Sequence, residues 1–323
     1  MRLLAPHNRL FTLAQSGKRL PHLIVAIILS VLFIVAAQLI GGPIAVILVL
    51  LTSLATGQFT PTELQQGLSS GDPAVIMGYL FPNTGLEQAI FLICFFGPVF
   101  LILWAWLALF EKRPLWTIGL ERPAAWQKYL RGALVGLVMF MAAVGISAAA
   151  GYIAVEPGGS SPTGIWALGG VIIVLAGWMV QGAAEEALTR GWLLPVIGAR
   201  YRPWLGILAS ALLFALLHSL NPNLSPIAML NLALFGLFTA LYALAEQSLW
   251  GVFSIHSVWN WAQGNLFGFE VSGQPAPGGT LFNLMEIGPD WLTGGPFGPE
   301  GGLAVTVVLV IGCAVVWVIG SRR

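Results

Sequence analysis

IWALGGVIIVLAGWMVQGAAEEALTRGWLLPVI, residues 165–197, is the stretch on which the fold turns. A bilayer core of about 30 Å takes about 20 apolar residues per helix, and this run is long enough to cross one. Yet it carries Glu185, Glu186 and Arg190 in its interior. A charged side chain at the centre of a membrane helix costs roughly 2.5–3.5 kcal/mol to insert, so such residues face a bundle interior or a wet cavity and mark function. Two further strings repeat the pattern: Phe214-Ala215-Leu216-Leu217-His218 inside an apolar run at 204–220, and His256-Ser257-Val258-Trp259-Asn260 inside one at 249–267.

The rest of the chain agrees. Of its 323 residues 57% are hydrophobic and 8% charged, against about 25% charged in soluble domains. Apolar stretches at 22–57, 86–110, 130–153, 165–197, 204–220, 226–246, 249–267 and 302–320 predict an all-α, polytopic integral membrane protein of about eight transmembrane helices, with the active site inside the helical bundle. We treat residues 1–323 as a single transmembrane domain and 165–267 as its motif-bearing core. Gly41-Gly42-Pro43 interrupts the first run, and proline removes a donor and clashes with the preceding turn. A kink, or a helix followed by a re-entrant piece, is expected there. The run is too long for a cleaved signal and reads as a retained anchor.

Orientation follows from the basic residues. Arg2, Arg9, Lys18 and Arg19 precede the first span; Lys112, Arg113, Arg122, Lys128 and Arg131 lie between the second and third; Arg200 and Arg202 lie between the fourth and fifth; Arg322 and Arg323 end the chain. Lys and Arg accumulate in cytoplasmic loops, so both termini are expected in the cytoplasm, in a bacterial plasma membrane. The opposite loops, near 58–85, 154–164, 221–225 and 268–301, hold no Lys or Arg. The last is rich in Gly and Pro and reads as an extracytoplasmic loop, compact and lid-like. A net charge of +1 gives no footprint for nucleic acid. Cys94 and Cys313 fall in apolar runs and suggest neither a disulfide framework nor a metal knot.

At 1.5 Å of rise per residue, Glu185, His218 and His256 sit at overlapping depth, roughly 15–24 Å from the cytoplasmic helix ends. Residues three or four apart share a helix face, which aligns Glu186 with Arg190, Phe214 with His218, and His256 with Asn260. Glu, His and Asn without an evident Ser or Cys nucleophile suit water activation. A carboxylate held in a low-dielectric pocket can act as general base, with His218 sharing or relaying its proton or orienting the water. His256 and Asn260 can donate to the oxygen of a tetrahedral intermediate. Arg190 offsets Glu186. Phe214 reads as core packing. The plainer readings are a structural ion network for the Glu pair and Arg, and interhelical hydrogen bonding for His218 and Asn260.

The three strings resemble the EExxxR, FxxxH and HxxxN motifs of the CPBP family, also called the Abi or CAAX protease family, over about 165–267. The resemblance implies an intramembrane endopeptidase of the type II CAAX prenyl kind, or one linked to bacteriocin maturation or self-immunity. It further implies that Glu185 and His218 activate water, that His256 and Asn260 form the oxyanion hole, and that Glu186 and Arg190 support Glu185. The family's mechanism has been described both with zinc and without metal. Glu185, His218 and His256 are the zinc ligands if zinc is used; no HExxH helix is present, and both routes stay open. The partners expected are a peptide or lipidated-peptide substrate and the bilayer, reached through a cavity open toward the cytoplasmic side. The rival classes are a proton- or cation-coupled transporter, for which no symmetry of two halves is evident, and a catalytically silent membrane scaffold.

Overall fold

Helices form along the apolar runs, and polar caps set several of their starts. The structure, a computed structural model, describes residues 3–157 and 162–322; Arg2 and Arg323 of the basic pattern lie outside them. A short α1, Arg9–Gln15, starts at Asn8, whose side chain accepts from the Leu10 amide. It is followed by α2, Leu23–Ala55, α3, Gly85–Glu111, α4, Ala125–Ala149, and α5, Gly164–Arg200. Then come α6, Pro203–Leu217, α7, Pro226–Glu246, α8, Trp250–Trp261, and α9, Leu303–Arg322. Thr84 and Glu87 form a reciprocal capping box that opens α3, and Ser225 caps α7 just ahead of Pro226.

Six of these helices, α2, α3, α4, α5, α7 and α9, are long and apolar enough to cross a membrane. The fold is therefore an all-α polytopic membrane architecture. The expected eight spans are not matched in number by that measure. With 15 residues α6 is short, and α8 reaches its full length only by running on into a wide turn, Ala262–Phe267.

At 33 residues α2 is about 50 Å long and continuous through Pro43, so no re-entrant piece follows Gly41. The glycine serves packing instead. A Cβ on Gly41 would collide with the Cys94 carbonyl, so the bare backbone lets α2 lie directly against α3. Exposed Ile28, Leu32, Leu39 and Ile47 mark the outward side of α2, as a lipid-facing helix requires.

Two apolar cores meet at the centre of the bundle. One gathers Leu188, Trp192 and Leu244, and the other Phe140, Phe214, Phe235 and Trp259. Behind the first core the buried Glu111 carboxylate accepts from Trp106 Nε1 at 2.9 Å, Trp192 Nε1 at 2.6 Å and Arg113 Nε at 2.7 Å. That knot pins the end of α5 where the basic residues cluster.

At the other end the segment 268–301 is folded rather than slack. Its strand β2, Leu284–Glu286, pairs antiparallel with β1, Ile153–Val155. Its Val271–Gln274 turn docks beside the α6–α7 link, where Asn221 Nδ2 donates to the Ser272 carbonyl at 3.0 Å.

Candidate active site

Immediately after Glu185 and Glu186, α5 widens into a π turn over Ala187–Leu193, which contains Arg190. Such turns recur at functional sites because they re-aim side chains within an otherwise regular helix. Arg190 and Glu186 are both completely buried, and the guanidinium donates to Glu186 Oε1 at 3.0 Å. Arg190 also donates to Thr189 Oγ1 at 2.6 Å, and its Cζ stands 4.5 Å from the centre of the Phe214 ring. Phe214 is thus buried core, as its position suggested, and at the same time a π face for the buried cation.

The same Glu186 oxygen lies 3.0 Å from His256 Nδ1, and His218 Nδ1 lies 2.8 Å from the Phe214 carbonyl oxygen. Both partners are acceptors, so each Nδ1 carries a hydrogen, and in the matching neutral tautomer the lone pair is at Nε2. Those two Nε2 atoms face one carboxylate oxygen, Glu185 Oε2, at 3.9 Å from His218 and 3.8 Å from His256. Among the described residues that oxygen has no hydrogen-bond partner. Three acceptors converging on one point favour a species with hydrogens to give, such as a water.

The other oxygen of Glu185 is held. Gln181 Nε2 donates to Oε1 at 2.7 Å, and Gln181 Oε1 in turn accepts from Asn260 Nδ2 at 3.0 Å. One Asn260 N–H is used this way, which leaves its second for the cavity. The structure therefore brings Glu185, Glu186, Arg190, His218, His256 and Asn260 into one cluster. Gln181 joins them unannounced. It lies one turn before Glu185 on the same face, so extending that face back by four residues would have found it.

The donor set Glu185, His218 and His256 is of the kind zinc uses, and both rings have the outer acceptor that metal-bound histidines have. The spacing is another matter. Tetrahedral bonds of about 2.0–2.1 Å place donor atoms about 3.4 Å apart, and these stand 3.8 and 3.9 Å apart. Among the described residues no group of three His, Cys, Asp or Glu side chains is arranged to hold a metal ion. Closing on a zinc ion would bring these atoms about 0.4–0.5 Å nearer one another.

A cavity of about 1060 Å³ opens onto this cluster. It runs along α2 from Ile27 to Gln38 and beneath the 268–301 segment, where Ser272, Gln274 and Glu300 line it. Lining residues Val35 on α2 and Leu216 on α6 are exposed, which leaves room for a lateral entrance between the two helices. The lining reaches from Ile27, near the basic end of α2, to the loops at the opposite end. With 15 residues α6 spans about 22 Å and delivers His218 at its C-terminal cap, beside the opposite end.

Residues 166–262 match the family model described as Rce1-like, type II CAAX prenyl endopeptidase Rce1-like. This is the family the three strings resemble, and the matched stretch holds all six residues together with Gln181. The match supports a membrane protease acting on a peptide. It does not extend to α2 or to the segment carrying Glu300. No curated protein and no solved structure matches the chain significantly.

Proposed function

We propose that this chain is an intramembrane endopeptidase of the CAAX type in which Glu185 activates the hydrolytic water. The observation that carries the proposal is the convergence of Glu185 Oε2 with the Nε2 atoms of His218 and His256 at one edge of the cavity. A water between them is hydrogen-bonded by Glu185 and His218. As its oxygen attacks the scissile carbonyl carbon, its proton passes to Glu185. Negative charge then develops on the carbonyl oxygen, opposite the free N–H of Asn260 and the Nε2 of His256. Glu186 holds that ring from behind through Nδ1. Arg190 holds the Glu186 carboxylate in place for that task. Collapse of the intermediate breaks the C–N bond, and the proton held by Glu185 goes to the leaving amine. No step requires a metal.

The lateral entrance suits a peptide presented from the bilayer, including a lipid-linked one. The test is cleavage of a quenched-fluorescent peptide library, with and without a farnesyl group, by detergent-purified protein and by Glu185→Gln, His218→Ala and His256→Ala. The expected result is cleavage lost in each variant at unchanged thermal midpoint, with full activity retained after dialysis against a chelator. Full activity in Glu185→Gln removes the proposed base. Activity lost on chelation and restored by zinc overturns the metal-free route.

A further inference from the structure

Glu300 lines the cavity from the 268–301 segment, and no part of the chemistry above uses it. Its Oε1 is buried and has no hydrogen-bond partner among the described residues, while Ser272 faces the carboxyl group with its amide and hydroxyl. Desolvation pushes this carboxyl above its usual range, and the nearby His218 and His256 partly oppose that rise, which places Glu300 within electrostatic reach of the reacting centre.

Its position is built, not incidental. Asn231 on α7 donates from Nδ2 to the Glu300 and Gly302 carbonyls, both at 2.8 Å, and accepts from Thr306 Oγ1 at 2.6 Å. Those bonds fix the backbone at Glu300 and just beyond it against α7, with Thr306 of α9 holding Asn231 in turn.

Among the described residues no Lys or Arg lines the cavity, whereas Glu185 and Glu300 both do. A free peptide C-terminal carboxylate would meet two acids and no counter-charge. A cation would supply what the Glu300 oxygen lacks, because a desolvated carboxylate gains most from an ammonium or guanidinium that donates to it directly.

We propose that Glu300 forms a substrate subsite for a cationic group, an ammonium or guanidinium on the peptide close to the scissile bond. The inference rests on the peptidase reading for its substrate class, but the subsite can be tested apart from it. Two measurements use peptides of one sequence in which each position near the cleavage site is in turn Lys, its neutral counterpart norleucine, or Glu. Each peptide is made with a free or acetylated N-terminus and a free or amidated C-terminus. The first measurement is kcat/KM for the wild type and for Glu300→Gln and Glu300→Lys; the second is direct binding to Glu185→Gln, which needs no turnover.

The wild type is expected to favour Lys over norleucine at one position by at least about tenfold. That ratio falls to about one in Glu300→Gln and turns toward Glu in Glu300→Lys. A wild type indifferent to the Lys-for-norleucine exchange but weakened by N-acetylation, an effect absent in Glu300→Gln, assigns the cation to the peptide's α-ammonium instead of a side chain. Cleavage that depends on Glu185 but ignores both the Lys-for-norleucine exchange and N-acetylation overturns the subsite and leaves the peptidase reading standing. A Lys preference in binding with no cleavage of any peptide does the reverse. A preference for the free C-terminal carboxylate that disappears in Glu300→Gln overturns the cationic assignment.

Discussion

Removing one member of the Glu186–Arg190 pair should cost far more stability than removing both, while the effect on chemistry is the same. Both side chains are fully buried, and taking one partner from a buried pair costs about 3–5 kcal/mol because the other charge is stranded. Arg190→Met and Glu186→Gln are each expected to lower the thermal midpoint by several degrees. The double variant strands nothing and should recover to within about 1–2 kcal/mol of the wild type, the remainder being the lost contact of the cation with the Phe214 ring. Activity should not recover. The amide oxygen that Glu186→Gln introduces still accepts from His256 Nδ1, so the ring keeps its orientation, but the negative charge behind the oxyanion donor is gone. Weakening one oxyanion donor costs about 10²–10³ in kcat. Thermal unfolding in detergent and initial cleavage rates on the same preparations give the two readings. A double variant as unstable as the singles shows that the charges do not compensate each other. One with wild-type kcat shows that Glu186 does not serve His256.

Gln181→Leu removes the bridge between Glu185 and Asn260; a hydrogen bond to a charged group is worth about 1.5–3 kcal/mol, so kcat/KM should fall roughly 10–150-fold with little change in midpoint, and an unchanged kcat/KM refutes a positioning role. In Gly182→Ala the new Cβ would stand 2.8 Å from the Ser257 amide nitrogen and 3.2 Å from His256 Cβ; backbone cannot give way there, so α8 must shift and cleavage should drop by about 10² or more, whereas a fully active variant shows that α5 and α8 need not meet so closely. Glu286, in β2, is pushed up to about 8 by burial, with Glu270 and Asp290 adding repulsion. Because its folded value lies above its unfolded value of 4.5, the β1–β2 pair is penalised as pH rises past about 4.5, and the penalty stops growing above about 8. At pH 7 it amounts to at most about 3 kcal/mol. Glu286→Gln should therefore slow hydrogen exchange at 153–155 and 284–286 at pH 8 and leave it unchanged at pH 4; an effect equal at both values contradicts the assignment.

What can be read from the residues alone is whatever a helix repeats at a fixed interval. Glu186 and Arg190 at i,i+4, and the shared depth of three polar strings, follow from helix geometry, and the six clustered residues stand where that geometry puts them. Two features escape such a reading. The count of spans is not legible because α6 and α8 are short, and a hydropathy run does not reveal where a helix ends at a cap such as His218. Glu300 escapes because the Gly- and Pro-rich segment that carries it has no periodicity, and its place is set by Asn231, 69 residues away in sequence.

The charges in the core form a division of labour. Glu186 is paired with Arg190 and His256 through Oε1 and does not line the cavity. Among the described residues Glu185 forms no ion pair with a Lys or Arg; Gln181 satisfies one oxygen with an amide and leaves the other bare toward two imidazoles. A general base must reach the proton it takes with an unoccupied lone pair, and of the two carboxylates only Glu185 offers one toward the cavity. Adjacent glutamates on one helix thus acquire different tasks from their neighbours alone, and exchanging those neighbours, more than exchanging the glutamates, is what should disable the site.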